Sequence, residues 1–276
     1  MVIKSLRSRI LLLAALVPLL FLPLACNVDL VGLIASGELD VRLESSNVFT
    51  FLTDSDRNHS LGGEYSFIVL SDTHIEDGNA HGLEGLKDAI KPDDKFVVIT
   101  GDITQNGRRR DIEKFIEIAR TLGIPCYPVV GNHDIYFNNW PIWRDFIGST
   151  RYRIDHDTTS LFVLDSANAS FGSAQLDWLR DELRSAKSHV FVFTHTNLFV
   201  ETPVDIQQIA DTRERARILS ILRDRADAMF MGHVHQRIIR KAGGVEYITI
   251  EDFRENSTYC RVHVSDRGIS WEFEKL

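Results

Sequence analysis

Short apolar runs of strand length recur along this chain, and a polar side chain able to bind a metal follows most of them. The runs at 67–70 and 96–100 are followed closely by Asp72 and Asp102. Stretches whose apolar residues have helical spacing lie between such runs, for example at 109–122. This alternation is typical of an α/β domain with covered sheets. Because ligands of such sheets gather at the carboxyl ends of strands, the pattern predicts a functional site at that edge.

The same spacing rules predict the remaining elements. Strands are predicted at 126–130, 161–164, 190–194 and 228–231, and helices at 174–183 and 210–222. The C-terminal runs at 237–241, 245–250, 259–264 and 269–273 predict antiparallel strands without intervening helices. The chain is therefore expected to combine an α/β body with an antiparallel end.

Length and charge narrow the class of protein. With 276 residues, 44% of them hydrophobic, the chain can build one principal globular domain. Its formal net charge of -8 argues against a nucleic-acid coat protein, because binding to a phosphate backbone needs an excess of Lys and Arg. An acidic protein that acts on anionic phosphate esters would need bound cations.

Residues 1–26 have the layout of an export signal. Basic residues precede an apolar run at 10–24, which is shorter than the roughly 20 residues of a comfortable membrane span. The run ends in Leu-Ala-Cys, which resembles a bacterial lipobox and predicts a lipidated Cys26, although Pro23 stands where an aliphatic residue is usual. We expect an exported protein, membrane-attached or periplasmic; ordinary cleavage and an uncleaved signal anchor are the alternatives.

Residues 27–63 are interpreted as a tether and lead-in to a domain at 64–276. Besides Cys26 the chain has only Cys126 and Cys260, too few for a disulfide-built scaffold. Both lie in strand-like runs and are predicted to be buried free thiols.

Five polar segments follow the predicted strands. In chain order they are Asp72-x-His74, Gly101-Asp102, Gly131-Asn132-His133-Asp134, His195 and Gly232-His233-x-His235. Carboxylate oxygen, amide oxygen and imidazole nitrogen suit zinc, manganese or iron. An aspartate can bridge two cations with its two oxygens, and the glycines permit close backbone approach. Each segment alone is more often an ordinary hydrogen-bonded residue, but their recurrence after every strand points to a metal site.

These segments resemble, in order and in type, the motif set of the calcineurin-like metallophosphoesterase superfamily, and the resemblance extends from Tyr65 to the C-terminus. It implies a four-layer αββα sandwich with two mixed central sheets and a metal site at the C-terminal edge of the strands. It also implies two divalent ions, Mn, Fe or Zn. One would be bound by Asp72, His74, Asp102 and His235, and the other by Asp102, Asn132, His195 and His233.

The resemblance also implies how the site would act. Two cations would lower the pKa of a shared water and bind the phosphoryl oxygens. His133 would protonate the leaving group. Asp134 is expected to accept a hydrogen bond from a metal-binding histidine. The implied activity is hydrolysis of a small phosphoester.

The substrate is less closely defined. Gln105 stands where the protein phosphatases of the family have an aspartate, which favours the bacterial phosphodiesterase branch. A phosphomonoesterase, a lipid-linked pyrophosphatase and a non-catalytic metal-binding scaffold are the alternatives. The arginine run 108–110 could grip a second phosphate or begin a solvated helix. Phe137, Trp140 and Trp143 could contact a base or a lipid chain, or could pack in the core.

Overall fold

Two mixed sheets form the centre of the molecule. The structure is a computed structural model that describes residues 39–44, 48–199 and 208–276. The strands are β1 (Tyr65–Leu70), β2 (Asp94–Ile99), β3 (Cys126–Pro128), β4 (Tyr152–Asp155), β5 (Thr159–Val163), β6 (His189–Phe193), β7 (Ala228–Met231), β8 (Ile238–Ala242), β9 (Val245–Thr249), β10 (Thr258–Ser265) and β11 (Gly268–Lys275). The first sheet has the order β11-β10-β1-β2-β3 and the second β4-β5-β6-β7-β9-β8. Both sheets contain parallel and antiparallel pairs, as predicted.

The described residues contain eight α-helices, several of which pack on the outer faces of the two sheets. Those described are α1 (Leu39–Glu44), α2 (Asp54–Arg57), α3 (Leu86–Ala89), α4 (Arg109–Thr121), α5 (Trp140–Phe146), α6 (Ser173–Glu182), α7 (Thr212–Leu222) and α8 (Phe253–Asn256). One apolar cluster, which includes Phe67 and Phe193, lies between the sheets. A second cluster packs α4 and α5 against the first sheet, and a third packs α6 and α7 against the second. The predicted four-layer sandwich is confirmed.

The parallel strands of each sheet end at one edge. Strands β1, β2 and β3 run parallel in the first sheet, and β5, β6, β7 and β9 in the second. Every residue of β1 is buried, because the strand is covered on both faces, and its residues 67–70 therefore form a continuous apolar run. Loops from both sheets are thus brought to a common edge.

The C-terminal strands differ from the predicted antiparallel run. Strands β8 and β9 form a hairpin in the second sheet, where β9 pairs in parallel with β7. Strands β10 and β11 form a hairpin in the first sheet, next to β1. The prediction that no helix intervenes is wrong, because α8 connects the two hairpins. The backbone amides of Phe253 and Arg254 in α8 donate to the carbonyl oxygens of Ser71 and Asp72, and these bonds hold the connection at the strand ends.

The described part of the predicted lead-in packs against the domain. Leu43, Leu52 and Leu61 are buried. Arg42 is also buried, and its guanidinium donates to both carboxylate oxygens of Asp165, at 2.7 and 3.0 Å. The segment therefore supplies side chains to the core ahead of the first strand.

Replacing Arg42 by Met should lower the free energy of unfolding by about 3–5 kcal/mol, because the buried Asp165 carboxylate would lose its counterion. Urea denaturation measures this change. Arg109→Met is the matched control, since Arg109 pairs with Glu113 on the surface and exposed pairs contribute at most about 1 kcal/mol. Equal losses for the two variants would contradict the stabilising role of the buried pair.

Both cysteines of the domain are buried free thiols, as predicted. They lie in β3 and β10. Burial raises the pKa of both thiols, that of Cys260 to about 12. Neither is therefore a reactive thiolate at neutral pH.

The predictions for the N-terminus lie outside the described residues. They are the export signal at 1–26 and the lipidation of Cys26, and they stay predictions. Of the helices in the described ranges, none has both the length and the apolar content that a bilayer crossing requires.

Candidate metal centre

The loops after five parallel strands meet at the common edge of the two sheets. Asp72 and His74 follow β1, Asp102 follows β2, Asn132 and His133 follow β3, His195 follows β6, and His233 and His235 follow β7. The structure thus brings together all eight side chains predicted to form the site. Their carboxylate oxygens and imidazole nitrogens form three groups, each with its atoms within 4.8 Å of one another: Asp72, His74 and His235; His74, Asp102 and His133; and Asp102, His195 and His233.

The first group joins Asp72, His74 and His235. Nε2 of His235 lies 3.3 Å from Oδ1 of Asp72 and 3.4 Å from Nε2 of His74. Atoms bound at about 2.1 Å to one cation are about 3.0–3.4 Å apart in octahedral or tetrahedral geometry. Among the described residues, Asp72 Oδ1 is buried without a hydrogen-bond partner, an arrangement that is costly unless a cation compensates it. The group therefore fits a divalent cation.

The group that joins Asp102, His195 and His233 is centred on Nε2 of His195. This nitrogen lies 3.0 Å from Oδ1 of Asn132, 3.1 Å from Oδ2 of Asp102 and 3.2 Å from Nδ1 of His233. These separations are also those of ligands around one cation. Because the donors are oxygen and nitrogen atoms, both groups suit borderline-hard metals, and the centre is a site for divalent metal.

Asp102 belongs to two of the three groups, one with His74 and His133 and one with His195 and His233. Its Oδ1 accepts the backbone N–H of His133 at 2.9 Å. Its Oδ2 lies 3.1 Å from Nε2 of His195 and 3.9 Å from Nε2 of His133. Oδ1 therefore has a backbone hydrogen bond, and the expectation that Asp102 bridges two cations with its two oxygens stays a prediction.

Backbone strain is concentrated in the same loops. Asp72, His74, Asp102, His233 and His235 all have left-handed backbone conformations, with φ between 45° and 74°. This conformation costs an L-residue about 1–2 kcal/mol, and it persists where surrounding contacts fix it. The fold thus holds these side chains inward at a cost in stability, as is common at functional sites.

Backbone carbonyl groups orient two of the histidines. Nδ1 of His195 lies 2.9 Å from the carbonyl oxygen of Thr100, and Nδ1 of His133 lies 2.8 Å from that of Gln105. A carbonyl oxygen can only accept, so each Nδ1 carries the hydrogen and each Nε2 faces the centre. These acceptors were not predictable from the sequence, because a backbone carbonyl has no side-chain signature.

Asp134 holds neighbouring loops together. Its carboxylate accepts the backbone N–H groups of Gly131 at 2.9 Å, Ile103 at 3.2 Å and Thr104 at 2.8 Å. The expectation that Asp134 accepts from a metal-binding histidine is wrong, because this carboxylate is buried beneath the loops and the nearest donors are their amides. Burial and the charge of Asp102 raise the pKa of Asp134 to about 7.

Tyr136 is a residue of the site that the sequence analysis missed. Its hydroxyl accepts a hydrogen bond from Nδ2 of Asn132 at 2.7 Å, which turns Oδ1 of that amide towards His195. The Tyr136 ring also packs against the His133 ring, with centroids 4.3 Å apart. Asn132 directly precedes the short 3₁₀ segment His133–Asn138 that contains Tyr136, and this closeness in sequence is the one signal that could have identified it.

Burial and charge set the protonation states of the histidines. Burial lowers the pKa of His74 to about 3 and that of His233 to about 4. Burial also acts to lower the pKa of His195, but the Asp102 carboxylate outweighs it and raises that pKa to about 9. At pH 7, His74 and His233 are thus neutral imidazoles, the form that binds metal, and His195 carries a proton that a cation would displace.

The glycines of the motifs are required by close approach, as predicted. A Cβ atom on Gly101 would overlap the ring of His195, and one on Gly232 would overlap Ser71 Oγ and the Asp72 carboxylate. A Cβ atom on Gly131 would overlap the backbone amide and carboxylate of Asp102. These three positions therefore admit no side chain while the ligand loops keep their places.

Gly131→Ala should lower the free energy of unfolding by about 1–3 kcal/mol and weaken metal binding at least about tenfold, because the methyl group displaces Asp102. Thermal unfolding and titration with Mn²⁺ measure the two effects. Gly63→Ala is the matched control: nothing lies within 4 Å of its Cβ position, and we expect a change within about 0.5 kcal/mol. A Gly131→Ala protein with wild-type metal affinity would contradict the close packing described.

The arginine run 108–110 lies on the surface, and two of the three nearby aromatic residues are buried. Arg108 and Arg110 pair with Asp77, and Arg109 pairs with Glu113, all on the exposed surface. This arrangement is that of a solvated helix start. Trp140 and Trp143 are buried in the core, whereas Phe137 is exposed.

Comparison with known proteins agrees with the fold and the centre. The family model described as calcineurin-like phosphoesterase matches residues 65–237. A probable cyclic nucleotide phosphodiesterase of Fibrobacter succinogenes is 24% identical over 193 residues, which are 61% of this chain and 72% of the relative. A probable glycerophosphodiester phosphodiesterase of Arcobacter nitrofigilis is 29% identical over 199 residues, 61% of this chain and 71% of the relative.

A solved structure shows the same fold. The dimetal phosphatase from Danio rerio superposes with a TM-score of 0.62 at 15% identity, over 76% of this chain and 95% of its own. The family match covers more than half of the chain, and the predicted metal-binding residues within it converge as described. The chain therefore belongs to the calcineurin-like phosphoesterase family and is a metal-dependent phosphoester hydrolase.

Proposed function

We propose that the protein hydrolyses phosphodiesters with two divalent cations, Mn, Fe or Zn. One cation is bound by Asp72, His74, Asp102 and His235, and the other by Asp102, Asn132, His195 and His233. The observation that carries this proposal is the continuous set of three ligand groups, in which His74 and Asp102 link the group of Asp72 and His235 to the group of His195 and His233. The two outer groups have the spacing of ligands around a single ion. The Asp102 carboxylate between them lies 3.1 Å from Nε2 of His195 and within 4.8 Å of a ring nitrogen of His74.

Divalent cations at this centre activate water and stabilise the charge that develops on the phosphoryl oxygens. His133 supplies the proton. Its Nδ1 is held by the carbonyl oxygen of Gln105, so Nε2 is the atom that holds the transferable proton. The ring packs against those of His74 and Tyr136, and its side chain is 19% exposed. It is therefore fixed in orientation yet open to the substrate, and Nε2 protonates the departing alkoxide.

Two observations favour a diester over a monoester. The relatives from Fibrobacter and Arcobacter are both named as phosphodiesterases. Gln105 is neutral where the protein phosphatases have an aspartate, and its side-chain oxygen accepts a hydrogen bond from Arg254 at 3.2 Å. A phosphomonoesterase and a lipid-linked pyrophosphatase use the same chemistry, so substrate comparison distinguishes the three.

A substrate panel tests the proposal. Turnover of bis-p-nitrophenyl phosphate, p-nitrophenyl phosphate, cyclic nucleotides and a lipid-linked pyrophosphate is measured with manganese, with zinc and with chelator. We expect chelator-sensitive hydrolysis in which the diesters have the highest kcat/KM. Preference for the monoester or the pyrophosphate would overturn the diester assignment, and turnover that persists in chelator would overturn the role of the cations.

A further inference from the structure

Phe137 is an exposed aromatic side chain beside the metal centre. It is 65% exposed, whereas Tyr136 and Trp140 in the same segment are 5% and 6% exposed. The large hydrophobic side chains exposed in the described ranges are Val41, Val48, Phe137 and Leu276. Phe137 is the one aromatic ring in that set. Exposed apolar residues are common. The exposure of Phe137 therefore gains meaning only together with its backbone conformation and its distance from the metal centre.

The backbone at Phe137 has a conformation that a phenylalanine rarely adopts. Its φ is 55° and its ψ is 30°, and Asn138 is also left-handed with φ 61°. Glycine or asparagine is the usual residue in this region, and a bulky side chain there is an outlier. Burial of the ring does not compensate the strain, because the ring is in solvent. Such strain is typical of residues held for binding.

Hydrogen bonds fix the backbone turn that carries the Phe137 ring. The backbone N–H of Asn139 donates to the carbonyl oxygen of Tyr136 at 3.0 Å, and Nδ2 of Asn139 donates to that of Asn106 at 2.9 Å. The turn that contains Phe137 is therefore closed and tied to the loop that follows Asp102. The ring is presented to solvent from a rigid support.

The distance to the centre suits a substituent of a bound phosphoester. The ring centroid of Tyr136 lies 4.3 Å from that of His133 and 6.1 Å from that of Phe137. The Phe137 ring is therefore within about 10 Å of the proton donor. In a nucleotide, one sugar ring separates the base from the phosphate, which is a span of the same order. The exposed amide of Asn138 adjoins the ring and can bond to the edge of a base.

We propose that Phe137 determines specificity by stacking on the planar base of a nucleotide whose phosphate lies at the metal centre. This inference rests on the proposed phosphodiesterase function and assigns its substrate class. Base–aromatic stacking contributes on the order of tenfold or more in affinity and tolerates any base. An aliphatic alcohol such as glycerol gains no such contact, so the site prefers nucleotide esters.

Binding of a matched pair of probes tests the inference without turnover. The affinities of manganese-loaded protein for adenosine 5′-monophosphate and ribose 5-phosphate are compared by calorimetry, since the two share the phosphorylated ribose and differ at C1, which carries adenine in one and a hydroxyl in the other. We expect the wild type to prefer the nucleotide about tenfold. Phe137→Ala and Phe137→Leu should lose this preference, Phe137→Trp should keep it, and ribose 5-phosphate should bind all four proteins equally.

Val48→Ala, at another exposed apolar residue outside the ligand loops, is the control and should behave as wild type. A wild type without preference, or a Phe137→Leu protein that retains it, would overturn the inference. Failure of the proposed phosphodiesterase function would instead appear as absent diester turnover in the substrate panel. The binding comparison does not depend on turnover, so the two failures are distinguishable.

Discussion

Asp102→Ala should abolish hydrolysis, lowering kcat/KM by more than about 10³-fold, and should remove both cations. The carboxylate is buried and belongs both to a group with His74 and to a group with His195, which places it between the two proposed cations. Its removal deprives both cations of a shared ligand and of a negative charge, so the charge stabilisation they supply to the phosphoryl group is lost with them. Metal content by mass spectrometry should fall from two ions per chain to below one.

Asp111→Asn is the matched control for that variant. Asp111 is equally buried, at the start of α4, and lies outside the ligand set. We expect two ions per chain and wild-type turnover. Full metal content in folded Asp102→Ala protein would contradict the assignment of Asp102 as the shared ligand.

The second large effect is expected for His133→Ala. The variant should keep both cations, because the interaction of His133 with Asp102 Oδ1 is through its backbone N–H, which alanine retains. Activity on diesters with alkyl leaving groups should fall by about 10²–10⁴-fold, since the proton donor is lost. Activity on bis-p-nitrophenyl phosphate should fall much less, because p-nitrophenolate leaves without a proton.

Steady-state rates on the two kinds of leaving group, together with metal content, measure this difference. His263→Ala, which removes a surface histidine at the far end of β10, is the control and should change neither rate. Equal losses of His133→Ala activity on both kinds of ester would show that His133 acts on positioning or metal binding and not as the proton donor.

The sequence was sufficient to predict the strands that carry the centre. A strand buried on both faces is largely a continuous apolar run, as in residues 67–70 of β1, so a polar residue that follows it is conspicuous. Asp72, Asp102 and His195 were recognisable for this reason. The three glycines that precede Asp102, Asn132 and His233 were also predictable. Each strand-to-loop junction passes close to a neighbouring loop and leaves no room for a Cβ atom.

Contacts between distant segments were not predictable. Arg42 and Asp165 are 123 positions apart, and a charged residue in a polar stretch gives no sign that it will be buried. The division of the C-terminal strands between two sheets is a matter of pairing partner, which apolar periodicity does not specify. Asp134 accepts hydrogen bonds from amides of two loops, and the carbonyl groups of Thr100 and Gln105 accept from His195 and His133. These contacts depend on how the loops pack on one another, which only the assembled fold shows.

Anomalous diffraction from crystals grown with Mn²⁺ is the most direct test of the dinuclear centre. We predict two manganese peaks about 3.5–4 Å apart, one bounded by Asp72, His74 and His235 and the other by Asn132, His195 and His233, with Asp102 contacting both. A single peak, or two peaks of which one lies away from Asp102, would contradict the account.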